Sequence, residues 1–312
     1  MARNVQSNSI KGILNSKVAY SSENGVMYNT NIEKFIESSV YVDLKGKVNL
    51  ILTSPPFPLN RKKAYGNETG KDYLNWLTSL AVPLKKLLDK DGSIVIEIGN
   101  SWEPNKPVMS TLANTALLRF LKKGKLNLCE QFVCFNPARL PGPTQWVNIE
   151  RIRVKDAYTN AWWMSRTTNP KADNRLVLDN YSESMLKLLK SKKYNSGLRP
   201  SEHNIGPSSF LTNNGGAIAS NVLVISNTDS NSGYLRYCRN NDILPHPARM
   251  PERFAEFFIK FLTEPGDLVM DPFAGSNTVG AVAEKLRRRW ISIEPKMEFI
   301  KGSLGRFSNE IL

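Results

Sequence analysis

"GDLVMDPFAGSNTVGAVAEKLRRRWISIE", residues 266–294, decides the fold. Asp267–Met270 is an apolar run short enough for a buried strand, and Trp290–Ile293 is another. Between them, Asp271-Pro-Phe-Ala-Gly-Ser-Asn-Thr278 makes a tight turn, and a helix is expected over Val279–Leu286. A small-residue turn, a helix N-terminus and an acid, Glu294, at the tip of the next strand form a dinucleotide-type βαβ unit. Gly275 stands where backbone must approach a ligand closely. The turn lacks the glycines that seat a pyrophosphate, so a nucleoside cofactor without phosphates fits better. S-adenosylmethionine is such a molecule, with its ribose at Glu294 and its methionine part against Phe273–Gly275. The same strand–turn–helix also occurs in α/β proteins that bind nothing, and the stretch by itself leaves both readings open.

Working outward, the run Val48–Leu52 is left through "LTSPPFPLN", residues 52–60. Two successive prolines remove two backbone donors, fix two φ angles and keep their carbonyls. The turn is therefore rigid, rich in acceptors and closed by the ring of Phe57. It suits an amino group. An exocyclic amino nitrogen of a nucleobase is a poor nucleophile, because its lone pair is delocalised into the ring. Acceptors on its N–H groups, here the Ser54 hydroxyl and the Pro55 carbonyl, would localise that pair for attack. Pro56 stiffens the turn, and the Phe57 face stabilises positive charge growing on the nitrogen. A base in a duplex must be flipped out to reach such a turn. Arg61, Lys62 and Lys63 lie beside it and could grip phosphates; a solvated charge run is the alternative.

The rest of the chain is consistent with this. Hydrophobic residues make up 41 % of the 312, enough for a large core. The net charge of +14 and a pI near 9.6 point to a polyanionic partner. No apolar run is long enough for a signal peptide or a membrane span, so no membrane partner and a cytoplasmic location are expected. Cys129, Cys134 and Cys238 form no metal-ligand pattern, and His203 and His246 are the only histidines, so no metal is expected. Helices are expected over Asp72–Leu88, over Met109–Leu121 and after Pro251, with strands in 91–100 and in "NLCEQFVCFN". Strands alternating with helices predict a parallel sheet covered on both faces. From Pro137 to about Asp242 the chain is irregular, basic and aromatic, and reads as a functional insert. Trp162 and Trp163 within it are expected in the core, with stacking on a flipped base as the other possibility.

Together these stretches carry a resemblance. "TSPPF" with "RKKAYGN" resembles the catalytic motif of amino-methyltransferases acting on DNA, and "DPFAGSNT" resembles their S-adenosylmethionine motif. "HPARMPERFAEFFIKFLTEPGDLV" resembles the segment that precedes it. Catalytic motif first, variable region second and cofactor motif last is the permuted order of the β group. The likeness runs on through "FNPARLPGPTQWVN", "RIRVKDAYTNAWW", "PKADN" and "NNGG", and is nearest to the PvuII-type cytosine-N4 modification enzymes.

The resemblance implies a Rossmann-like methyltransferase sheet with helices on both faces and a smaller target-recognition insert. It implies Ser54, Pro55, Pro56 and Phe57 as the catalytic turn. It places Asp271, Phe273, Gly275, Ser276, Asn277 and Thr278 by the cofactor's methionine side, Glu294 at its ribose, and His246 closing the pocket. Residues 1–194 would be the catalytic part, 195–242 the target-recognition region and 243–312 the cofactor part. Double-stranded DNA is the implied partner, with a cognate restriction endonuclease acting separately. Three rivals stand beside this reading. Adenine N6 is the first; such enzymes more often carry Asp where this chain has Ser54. RNA or a protein glutamine is the second, and a DNA-binding repressor on an inactive scaffold the third.

Overall fold

The computed structural model describes residues 17–57, 69–227 and 231–307. The chain divides into two compact units, one of residues 1–172 with 221–312 and one of residues 173–220.

The larger unit opens with an antiparallel hairpin, β1 (Lys17–Ser21) and β2 (Gly25–Asn29). Two short helices follow, α1 (Ile32–Ile36) and α2 (Ser39–Leu44), capped by Asn31 and Ser38 side chains on the first-turn amides. Then come β3 (Val48–Thr53), α3 (Gly70–Leu87), β4 (Leu88–Gly99), α4 (Leu112–Gly124), β5 (Asn127–Phe135) and β6 (Tyr158–Ser165).

The smaller unit holds α5 (Glu183–Ser191) and a two-residue pair, β7 (Gly197–Leu198) with β8 (Asn204–Ile205). Its only buried residue is Gly216. It is held by local contacts, such as the edge-on pair Tyr194–Phe210 and the bridge between Asp179 and Ala217. The expected recognition region, 195–242, overlaps this unit up to Ser220, and residues beyond it cluster with the larger one.

The larger unit resumes with β9 (Val222–Val224), α6 (Gly233–Asn240), α7 (Glu252–Leu262), β10 (Leu268–Asp271), α8 (Thr278–Lys285), β11 (Arg289–Ile293) and α9 (Met297–Ser303). Nine strands form one sheet in the order β1-β2-β11-β10-β3-β4-β6-β5-β9. β2, β11, β10, β3 and β4 run parallel, and the sheet has helices on both faces. The core therefore has two layers. Ile51, Ile94, Ile96, Met270 and Ile291 face α3 and α4, whereas Leu50, Leu52, Val95, Val269 and Trp290 face α7 and α8. Alternate residues are apolar on both sides, which is why these strands read as unbroken hydrophobic runs. Phe254 and Phe258 of α7 are fully buried, each contributing about 1.5–3 kcal/mol of burial, and the ring of Phe132 packs edge-on to Phe258.

Two expectations need correction. The sheet is mixed, because β6 runs antiparallel to both β4 and β5. The stretch 137–242 is not an insert throughout, since it contains β6, a central strand. Residues Tyr158–Ser165 lack the polar alternation of a surface strand because both of their faces are covered. Trp162 packs into one layer and Trp163 into the other, as expected of core residues.

Candidate active site

Chain connectivity reverses direction across the sheet between β3 and β10, the switch point at which open α/β sheets leave a crevice beyond their strand ends. A cleft of about 360 Å³ opens there. Ser54–Phe57 enters it from the end of β3 and Phe273–Ser276 from the end of β10. The two turns are joined below the cleft, where Thr53 Oγ1 donates to Asp271 Oδ1 at 2.7 Å. Asp271 also accepts from the Phe273 amide at 3.0 Å. Burial, with the Glu294 charge adding to it, pushes the Asp271 carboxyl up to about 7.

The βαβ turn is built around two side chains. Glu294, just past β11, accepts from the Gly275 amide at 2.9 Å and from the Lys296 amide at 2.9 Å. Burial raises its pKa above the ordinary carboxylate range. Asn277 caps α8 from the left-handed region, φ +54°, accepting from the Gly280 amide and the Ser292 hydroxyl and donating to Tyr20. Its side chain is spent inside the scaffold, and Asn277 does not line the cleft. Gly275, φ +51°, lies under His246: a Cβ there would sit 3.0 Å from the imidazole Nε2. His246 Nδ1 accepts from the Ala248 amide at 3.3 Å, and burial pushes its pKa down to about 4, so the ring is neutral near neutral pH.

Of the residues expected from sequence, Ser54, Pro55, Pro56, Phe57, His246, Asp271, Phe273, Gly275, Ser276, Thr278 and Glu294 all line this one cleft. Arg61, Lys62 and Lys63 lie outside the described residues.

Sequence reasoning missed Glu97. It projects from β4 into the cleft, 9 % exposed, and accepts from Thr159 Oγ1 at 2.8 Å and from the Ser54 hydroxyl. Burial raises its pKa, while the hydrogen bonds from Thr159 and Ser54 and the positive charge of Arg139 pull it back down. A signal existed: Glu97 is the lone acid in the apolar run "SIVIEIG", where a charge is costly unless partnered. Arg139, Asn136 and Arg249 also line the cleft. Phe57 leans on Gly99 at the end of β4, where any Cβ would come within 2.4 Å of the ring.

The cleft fits a nucleoside cofactor. It has aromatic walls in Phe254, Phe273 and Phe299, a buried carboxylate in Glu294 and a backbone cradle at Gly275 that a Cβ would fill. Among the described residues no cluster of His, Cys, Asp or Glu could hold a metal, and no helix is long and apolar enough to cross a membrane.

Residues 48–304 match the DNA methylase family model N6_N4_Mtase. The chain is 44 % identical over 311 residues to the type II methyltransferase M.PvuII of Proteus hauseri, covering 98 % of this chain and 91 % of that protein. The solved structure of the PvuII DNA methyltransferase, cytosine-N4-specific, superposes with a TM-score of 0.75 at 38 % identity, over 94 % of this chain and 89 % of that one. The complex of M1.HpyAVI with SAM shares the fold, with a TM-score of 0.51 at 20 % identity over 90 % of this chain and 98 % of that one.

Proposed function

This chain belongs to the N6_N4_Mtase family of DNA methylases, and from that premise we propose that it methylates N4 of a cytosine flipped out of double-stranded DNA, with S-adenosylmethionine as donor, as the modification enzyme of a restriction–modification system. The observation that carries this reading is the convergence of the Ser54–Phe57 turn and the Phe273–Ser276 turn on one cleft, tied by the Thr53–Asp271 bond.

When bound, S-adenosylmethionine supplies a sulfonium methyl carbon, and its sulfur keeps the electron pair of the broken bond. Glu294 and the Gly275 turn hold the nucleoside and methionine ends. Ser54 gives its one proton to Glu97, which leaves the hydroxyl lone pairs facing the cleft as acceptors. The Pro55 carbonyl is the second acceptor. Together they take the two N–H groups of the amino nitrogen and localise its lone pair. As the C–N bond forms, the proton that leaves the nitrogen passes to Ser54 Oγ while the Ser54 proton moves to the Glu97 carboxylate, which ends protonated. The Phe57 face lies against the developing positive charge. The prolines and Gly99 fix this geometry beforehand, so little reorganisation is needed. The smaller unit, residues 173–220, fits a target-recognition role, since it offers polar side chains around almost no core. A cognate endonuclease would act separately on the same sites.

Mass spectrometry of nucleosides from DNA treated with enzyme and labelled cofactor tests the reaction. Label is expected in N4-methylcytosine. Label in N6-methyladenine alone would replace this reading with the adenine one.

A further inference from the structure

The sheet has a second charged face, at the strand ends away from the cleft. Four segments meet there, through two backbone bonds and two bonds from side chains to backbone carbonyls. The Gly46 amide donates to the Lys86 carbonyl at 3.0 Å, and the Lys47 amide to the Leu87 carbonyl at 3.0 Å. Lys85 Nζ donates to the Lys125 carbonyl at 2.8 Å, tying the end of α3 to the end of α4. Arg166, following β6, donates to the Leu88 carbonyl at 3.4 Å. Lys45, Lys47, Lys85, Lys86, Lys125 and Arg166 are thus gathered in one neighbourhood. The ion pairs among the described residues involve none of the six. Burial, then the charges of Arg166 and Lys125, lower the Lys85 pKa, as expected of crowded cations. Basic residues at helix C-termini complement the helix dipoles, which accounts for Lys85, Lys86 and their neighbours in α4. Lys47 precedes a strand and Arg166 follows one, so that account does not cover them. β3 starts at this face with Val48, and the cleft begins at Ser54 just past its other end, which separates the two by roughly 20 Å at about 3.3 Å per residue.

We propose that this basic face is a second nucleic-acid contact, which holds another segment of DNA while the cleft side engages its target. The inference rests on the reading of the chain as a DNA methyltransferase, since that activity brings a long polyanion to the protein at high local concentration. Duplex DNA carries one charge per about 1.7 Å of axis, so a compact set of six cations meets several phosphates at once. Two contacts on opposite ends of the sheet let one molecule bridge segments and pass between them without full release.

The experiment uses the full chain bound to an immobilised duplex that carries a mapped methylation site, and asks whether the complex captures a second, fluorescent duplex. Capture is expected at low salt with the wild type. Lys47→Glu with Lys86→Glu should reduce it at least about 10-fold, and Lys47→Gln with Lys86→Gln should give a smaller loss. Single-turnover methylation of the first duplex should stay unchanged in both variants. Equal capture by wild type and variants would overturn the inference, as would parallel loss of capture and methylation. Binding of the face to phosphatidylserine vesicles with no second-duplex capture would assign it to membranes instead. If the wild type binds DNA and captures a second duplex but transfers no methyl group, the proposed reaction fails and the second contact stands.

Discussion

Two buried carboxylates decide the chemistry at the residue scale. Glu97 must be ionised to draw the Ser54 proton, and burial raises its pKa. Activity should therefore fall on the acid side at a pH above the ordinary carboxylate range. Glu97→Gln keeps the size, and turnover should drop by about 10²-fold, the scale of losing one preorganised polar group. Cofactor affinity should hold, and the acid limb should vanish from the rate profile. A loss confined to cofactor affinity would remove Glu97 from Ser54. Asp271 makes a different prediction. Its carboxyl, pushed up to about 7 from 3.8, still holds a proton in the folded chain at pH values where the unfolded chain has released it. Its contribution to stability is therefore present below about pH 4 and is lost as pH rises through about 7. Asp271→Asn carries no charge at any pH. Denaturant unfolding of both proteins at about pH 5 and about pH 8 should show the variant gaining on the wild type at the higher pH. A constant difference would mean the carboxyl titrates normally.

At the scale of elements, β4 acts on the catalytic turn through an absence. Gly99 has no Cβ, and the Phe57 ring occupies the space one would need. Gly99→Ala would displace the ring and the turn with it, while β4 keeps its pairing to β3 and β6. Turnover is expected to fall roughly 10- to 100-fold, as misplacement by about 1 Å can do, with cofactor binding retained. Stopped-flow methyl transfer beside cofactor calorimetry checks it; an unchanged rate would mean the turn does not depend on its seat. The same element shows what the sequence made legible. β3, β10, β11 and α8 fall within a residue or two of expectation, because each is a short apolar run or a helical stretch bounded by turn chemistry. Nine of the eleven expected cleft residues converge because both turns follow parallel strands, while Glu294 comes from the end of β11 and His246 from the segment before α7. Glu97 was hidden, since its role needs Ser54, Thr159 and Arg139, which come from three other stretches of chain. β6 was hidden for the opposite reason. Its tryptophans are expected in the core, but the strand itself sits in a stretch that otherwise reads as irregular and shows no polar alternation, because a helical layer covers each of its faces. Asn277 resembled a cofactor ligand by position, and its left-handed backbone turns the side chain into the scaffold.

The whole molecule carries +14, and that charge bears on DNA binding and much less on the chemistry in the cleft. Each phosphate neutralised by a Lys or Arg releases counterions, so log K should fall linearly with log salt at about 0.9 per contact. A binding face that makes six or more such contacts would lose about 10³-fold or more in affinity between about 50 and 200 mM salt. The methyl-transfer step sits apart from this. Its acceptors, Ser54, Pro55 and Glu97, lie in a buried cleft, where screening by salt is weak. Affinity and chemistry should therefore separate. Fluorescence anisotropy of a labelled duplex across a salt series is expected to show the steep slope. Single-turnover methylation, with enzyme concentration raised to keep the DNA saturated, is expected to run at a nearly constant rate over the same series. A flat binding slope would assign the positive charge to something other than DNA. A rate that falls with salt despite saturation would mean that phosphate contacts also hold the flipped base against the Ser54–Phe57 turn.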